Sequence, residues 1–173
     1  MILLTAIGLG VRLAFEAGPE LGVSIRALAL GIAVFGIVLA SDVSLHGLFC
    51  LLFGTRYRRR HRELAAVFRD QRLSAILAGS LMAGVGEELV FRGLSESHVY
   101  LVGGALAFGV LHHVRRDLWP FTVWAVWQGL LFASVVYLTE MLAVTMVAHF
   151  LHDLAGFLIF RYVNTRMPIE AKG

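Results

Sequence analysis

Glu87 and Glu88 stand side by side in an otherwise apolar stretch, ILAGSLMAGVGEELVF (76–91), and Arg92 follows Glu88 one helical turn later. Later apolar stretches carry histidine deep within them: AFGVLHH, with His112 and His113, and MVAHFLHD, with His149, His152 and Asp153. A charge near the centre of a bilayer costs roughly 2.5–3.5 kcal/mol on insertion scales, so adjacent acids in such a segment call for a chemical reason. An acid pair together with histidines on separate apolar segments reads as a buried reaction centre.

On a helix the two acids diverge. Glu88 and Arg92 are i,i+4 neighbours and can pair, whereas Glu87 points about 100° away. Glu88 is expected to be held ionised by Arg92. Glu87 is expected to face the bundle interior, where a desolvated carboxylate near histidine can act as general base on water. His112 belongs to another segment, so packing has to bring it to Glu87. His149 and Asp153 share a helical face, as do Phe108 and His112. His113 and His152 read as neighbours without a catalytic part, and His46, His61 and His98 as interfacial. Two acids and two histidines could also ligate Zn²⁺ or Fe²⁺, but the chain has no HExxH. The single cysteine, Cys50, excludes an internal disulfide and any CxxC site and reads as a small apolar residue.

Positioning these groups falls to apolar helices. Of the 173 residues, 58% are hydrophobic and 16% charged, with a mean hydropathy of +0.78. A soluble domain carries about 25% charged residues, so the composition is that of an integral membrane protein. Its length suits one bundle over residues 1–173, without a second domain. The net charge of +3 does not point to nucleic acid, because the basic residues cluster in RYRRRHR (56–62), Arg69, Arg72, Arg115–Arg116 and the tail. There they read as topology signals and as an anchor on an anionic membrane face. Residues 2–16 have no basic leader and no A-x-A site, and are read as a retained membrane segment rather than a signal peptide.

Apolar runs at about 2–16, 22–53, 73–95, 99–113, 119–138 and 141–161 predict an all-α polytopic bundle of about six or seven transmembrane segments, given the roughly 20 residues needed per crossing. The run 22–53 leaves two readings: one long tilted helix, or a span ending near Ser41–Asp42 followed by LHGLFCLLF. Trp119, Trp124, Trp127 and Tyr137 suit interfacial belts, and Gly79/Ala83 and Ser80/Gly84 give small-xxx-small spacing for close helix packing. Arginines at 56–72, 115–116 and 161–166 oppose turns carrying Glu96 and Glu140, which by the positive-inside rule makes the C-terminus cytoplasmic. At about 1.5 Å per residue, Glu87, His112 and His149 agree in depth to within about one and a half turns, consistent with one site in the outer-to-middle membrane.

GEELVFRG supplies EExxxR, FGVLH supplies FxxxH and HFLHD supplies HxxxD, in that order on successive apolar segments. Over residues 73–161, taken as the catalytic core, the chain resembles the CPBP (Abi-like) family of intramembrane glutamic proteases. That family includes the CAAX prenyl endopeptidases and bacterial bacteriocin-processing or immunity proteins. The resemblance implies that Glu87 activates water with the help of His112, that Glu88 and Arg92 are structural partners beside Phe108, and that His149 and Asp153 bind the oxyanion. It implies no metal and no cofactor. Asp153 occupies a position that is often Asn in the family, and an ionised Asp cannot donate to an oxyanion. It must then be protonated, or act as an acceptor that orients His149.

The implied activity is hydrolysis of a peptide bond near the C-terminus of a membrane-associated protein, within the lipid bilayer. The compact chain resembles bacterial, myxosortase-like members that process C-terminal sorting tags, a hydrophobic helix followed by basic residues, in the bacterial inner membrane. The alternative is a non-enzymatic immunity or scaffold membrane protein. A coupled transporter fits less well, since the chain is short and shows no inverted repeat.

Overall fold

The computed structural model describes residues 6, 9, 10, 18–94, 97–113 and 116–166. Apart from residues 6, 9 and 10, the expected segment 2–16 lies outside them, as do Glu96 and Arg115. The Ser24 hydroxyl accepts from the N–H of Ala27 and starts α1 (Ile25–Ala66). This helix runs unbroken past Ser41–Asp42, so the single long helix is the correct reading of that stretch. It bends at Gly54, whose φ of 55° and ψ of −132° suit a residue without Cβ. Beyond the bend lies the basic arm.

Helix α2 spans Leu73–Phe91 and α3 spans His98–Leu111, the latter capped by the Ser97 hydroxyl. A 3-10 turn, Arg116–Leu118, leads into α4 (Trp119–Thr139), and α5 covers Leu142–Arg166. Among the described residues, α1, α2, α4 with its preceding turn, and α5 are long and apolar enough to cross a membrane. With 14 residues, α3 reaches only about 21 Å and is too short for a bilayer core. The described residues therefore hold four candidate spans; most of the expected segment 2–16 lies outside them, so they do not confirm the expected six or seven.

Helix α5 is the central element, packed along both α1 and α2, while α3 lies on α4. Its height is set from outside: the N–H groups of Leu142 and Ala143, which have no partner within a helix that begins there, donate to the carbonyls of Glu20 and Leu21 at 2.9 Å each. Small residues let the backbones meet. A Cβ at Gly84 would lie 2.7 Å from the Phe150 backbone nitrogen, and one at Gly129 would lie 2.9 Å from the Ala105 carbonyl oxygen. Of the two small-residue pairs foreseen on α2, Ser80/Gly84 is the buried one, and Gly79 faces open space. Because backbone blocks the added methyl, Gly84→Ala is expected to lower stability by about 1–3 kcal/mol, read as a drop in unfolding temperature in detergent, whereas Gly79→Ala should be neutral.

The arginine-rich pieces gather at one end of the bundle. Arg60 bridges Asp117 at 2.9 Å, Phe68 stacks on Phe157 with centroids 4.3 Å apart, and His61 packs edge-on against Phe160. The arm after Gly54, the start of α4 and the end of α5 thus share a side, as the positive-inside argument requires of them.

Candidate active site

Glu88 and Arg92 close the C-terminal turn of α2, and both side chains are fully buried. The guanidinium Nη1 donates to Glu88 Oε1 at 2.6 Å, and Nη2 reaches the Gly129 carbonyl at 3.4 Å. Its carbon lies 4.8 Å from the centroid of the Phe108 ring and 5.7 Å from that of Phe132, so the cation rests among aromatic faces. His149 of α5 adds a second donor to the same carboxylate, with Nδ1 2.8 Å from Glu88 Oε1. A carboxylate paired with arginine accepts, so Nδ1 of His149 carries hydrogen.

This leaves Nε2 of His149 directed elsewhere. It lies 3.8 Å from Glu87 Oε2 and equally 3.8 Å from Asp153 Oδ2, too far to be hydrogen-bonded to either. Glu87 is less enclosed than its neighbour, with a side chain 14% exposed, and no hydrogen bond holds its carboxylate among the described residues. The adjacent acids therefore have unlike surroundings: Glu88 is locked by a cation and an imidazole, and Glu87 is available.

His112 ends α3. Its Nδ1–H donates to the Phe108 carbonyl at 2.7 Å, which leaves Nε2 as an acceptor in the neutral ring. It stands within electrostatic reach of Glu87 without a direct hydrogen bond. Phe108 joins the groups, its ring centroid 4.2 Å from that of His112 and 6.0 Å from that of His149. The structure thus gathers Glu87, Glu88, Arg92, Phe108, His112, His149 and Asp153 from α2, α3 and α5 at one locus. His113 turns away to Thr122, 2.8 Å distant. Among the described residues no group of three or more His, Cys, Asp or Glu is arranged to hold a metal ion.

A model of the Rce1-like type II CAAX prenyl endopeptidases matches residues 69–155. The chain belongs to the Rce1-like family. This is a protease family, and with four apolar helices of spanning length the chain is a membrane member of it. No curated protein and no solved structure matches the chain. The Rce1-like match takes in all of α2, α3 and α4 and the half of α5 that carries His149 and Asp153.

Two features went unforeseen in the sequence. His152, set aside as a bystander, lies with Nε2 2.7 Å from Asp42 Oδ2 and Nδ1 3.3 Å from Asp153 Oδ1. Trp124, assigned to an interfacial belt, instead donates its Nε1–H to Asp42 Oδ1 at 2.6 Å. The signal for Asp42 was present: it is the only charged residue in the apolar run from Ala27 to Thr55, and an intramembrane acid is costly without a partner.

Proposed function

We propose that the chain is an intramembrane endopeptidase that hydrolyses a peptide bond near the C-terminus of membrane-associated proteins, with Glu87 as the base that activates water. The observation that carries this reading is the unequal treatment of the paired acids. One is neutralised and buried by Arg92 and His149, and the other has no hydrogen bond among the described residues and lies beside an open imidazole nitrogen.

The chemistry follows from these positions. Glu87 takes a proton from water as the oxygen attacks the carbonyl carbon, and Nε2 of His112, an acceptor, helps to orient that water. His149 as imidazolium keeps Nδ1–H on Glu88 and offers Nε2–H to the developing oxyanion. In a water-poor site a prepositioned donor counts for far more than in water. The proton held by Glu87 then passes to the departing amide nitrogen, the C–N bond breaks, and carboxylate and amine are released. Every step uses groups of the chain itself.

The substrate in this reading is the end of a membrane-anchored protein: a prenylated CAAX terminus, as the family name suggests, or a hydrophobic helix followed by basic residues. The site lies in the outer-to-middle part of a bacterial inner membrane, with the C-terminus and basic arm in the cytoplasm. Purified protein in detergent, incubated with farnesylated CAAX peptides and with helix-plus-basic tail peptides and read by mass spectrometry, tests it. One of these classes should be cleaved at a single bond, with a rate unchanged by EDTA. His112→Ala should lower kcat by about 10–100-fold, as expected for a group that orients the nucleophile. Loss of cleavage in EDTA would assign the activation of water to a metal instead.

A further inference from the structure

Beside the reaction centre lies a second polar cluster, which the proposed chemistry does not use. Asp42 of α1 receives hydrogen bonds from two other helices: Trp124 Nε1 at 2.6 Å and Gln128 Nε2 at 3.0 Å, both on Oδ1, and His152 Nε2 at 2.7 Å on Oδ2. Gln128 and His152 are buried, at 2% and 7% exposure. Indole and amide N–H groups can only donate, so Asp42 is the acceptor of the set. The short contact to Oδ2 puts a hydrogen on Nε2 of His152. The 3.2 Å approach between Nε2 of Gln128 and Nε2 of His152 then joins two donors that converge on one carboxylate.

That assignment decides what Asp153 can do. Nδ1 of His152 faces Asp153 Oδ1 at 3.3 Å. With His152 charged, Nδ1–H donates to Oδ1; with His152 neutral, a protonated Oδ1 donates to Nδ1. Either way Oδ1 is engaged, and Oδ2, the oxygen 3.8 Å from Nε2 of His149, carries no hydrogen. A proton on Oδ2 would set two lone pairs face to face, or discharge the carboxylate opposite an imidazolium.

We propose that Asp42, Trp124, Gln128 and His152 form a bracket that holds Asp153 by Oδ1 and keeps hydrogen off Oδ2, the oxygen that faces Nε2 of His149 at 3.8 Å. Asp42 and His152 are thus positioning residues for the reaction. Oδ2 of Asp153 then has no hydrogen to give an oxyanion, and with His152 charged it stands as a negative neighbour of the His149 ring at 3.8 Å without taking its Nε2–H, so His149 alone donates to the oxyanion. This inference rests on Glu87 and His149 being the reaction centre. It reaches beyond the family match, since Asp42 lies outside residues 69–155.

The test uses full-length protein in detergent and whichever of the two peptide classes the wild type cleaves. Asp42→Leu and His152→Phe are each expected to lower kcat by about 10–100-fold with KM within about twofold, the scale of a displaced orienting group. The double variant should be no slower than the worse single, because both break the same bracket. Asp42→Asn should rescue to within about threefold of wild type, since its Nδ2–H can donate to Nε2 of His152, whose hydrogen moves to Nδ1 and still serves Asp153. Should His152→Phe fail to fold, His152→Gln, which reaches one carboxylate at a time, takes its place with the same expected loss.

A readout independent of turnover is ring-nitrogen NMR with isotope-labelled histidine: the His152 signals should move in both Asp42→Asn and Asp153→Asn. Wild-type kcat in the bracket variants, with those signals moving, would reduce the bracket to a purely structural tie and leave the Glu87 mechanism standing. Signals that ignore Asp42→Asn would remove the bracket itself. Cleavage that persists in Glu87→Gln overturns the assignment of the base, and a wild type that cleaves neither peptide class removes both readings.

Discussion

Glu87→Gln is expected to lower kcat by about 10³–10⁴-fold while KM changes by less than about threefold, the pattern of a group that acts only in the transition state. At about 1.36 kcal/mol per factor of ten, this corresponds to some 4–5.5 kcal/mol of lost barrier lowering. The substitution is close to isosteric, and the amide oxygen can still accept from water, but it cannot take a proton. Glu87 holds no hydrogen bond among the described residues, so the exchange breaks no partner's bond and the unfolding temperature should stay at the wild-type value. Steady-state cleavage by mass spectrometry, beside a thermal melt of the same sample, checks both halves. A folded Glu87→Gln variant with wild-type kcat would move the base elsewhere, with Asp153 Oδ2 the next carboxylate oxygen near His149.

The sequence revealed the site through contacts within single helices and missed it where contacts run between them. Glu88 and Arg92 are one turn apart, so their pairing follows from helical geometry alone. The same rule suggested His149 with Asp153, yet their closest approach is 3.8 Å, and the tight bond of His149 goes to Glu88, 61 residues earlier. Spacing brings two side chains onto one face; the strongest available charge then decides which way the imidazole turns. The bracket was less visible still, because Asp42 is separated from the residues that donate to it by 82 to 110 positions. The tryptophan in it has the type and place of an interfacial anchor until an acid on another helix takes up its N–H. Element types were legible from the apolar runs, which the helices α1 to α5 follow. The span count was less so: the run 99–113 is itself shorter than the roughly 20 residues a crossing needs, and the helix within it ends at Leu111, where His112 turns out of helical geometry.

Arg92→Met is expected to be the most damaging single change to the fold. It leaves a fully buried Glu88 carboxylate without its arginine, and removing one partner of a buried pair costs about 3–5 kcal/mol. The variant should therefore be scarce in the membrane fraction and melt early. Adding Glu88→Gln should restore much of the loss. The glutamine oxygen still accepts from Nδ1 of His149, the fully buried charge at position 88 is gone, and the thioether suits the space between Phe108 and Phe132. Replacing a buried ion pair by neutral groups of similar volume is often tolerated, so the double variant is expected to accumulate and fold. It should nevertheless cleave at least about 100-fold more slowly than wild type, because losing the hydrogen-bonded Glu88 charge disfavours the imidazolium, and a neutral His149 with its hydrogen on Nδ1 has none on Nε2 to offer an oxyanion. Expression yield and melting temperature follow the first effect, and kcat follows the second. A stable, abundant Arg92→Met single variant would mean that the arginine is not needed to hold Glu88, either because the His149 imidazolium compensates the carboxylate by itself or because Glu88 is protonated, and only the second would remove the counter-charge on which the oxyanion donor depends.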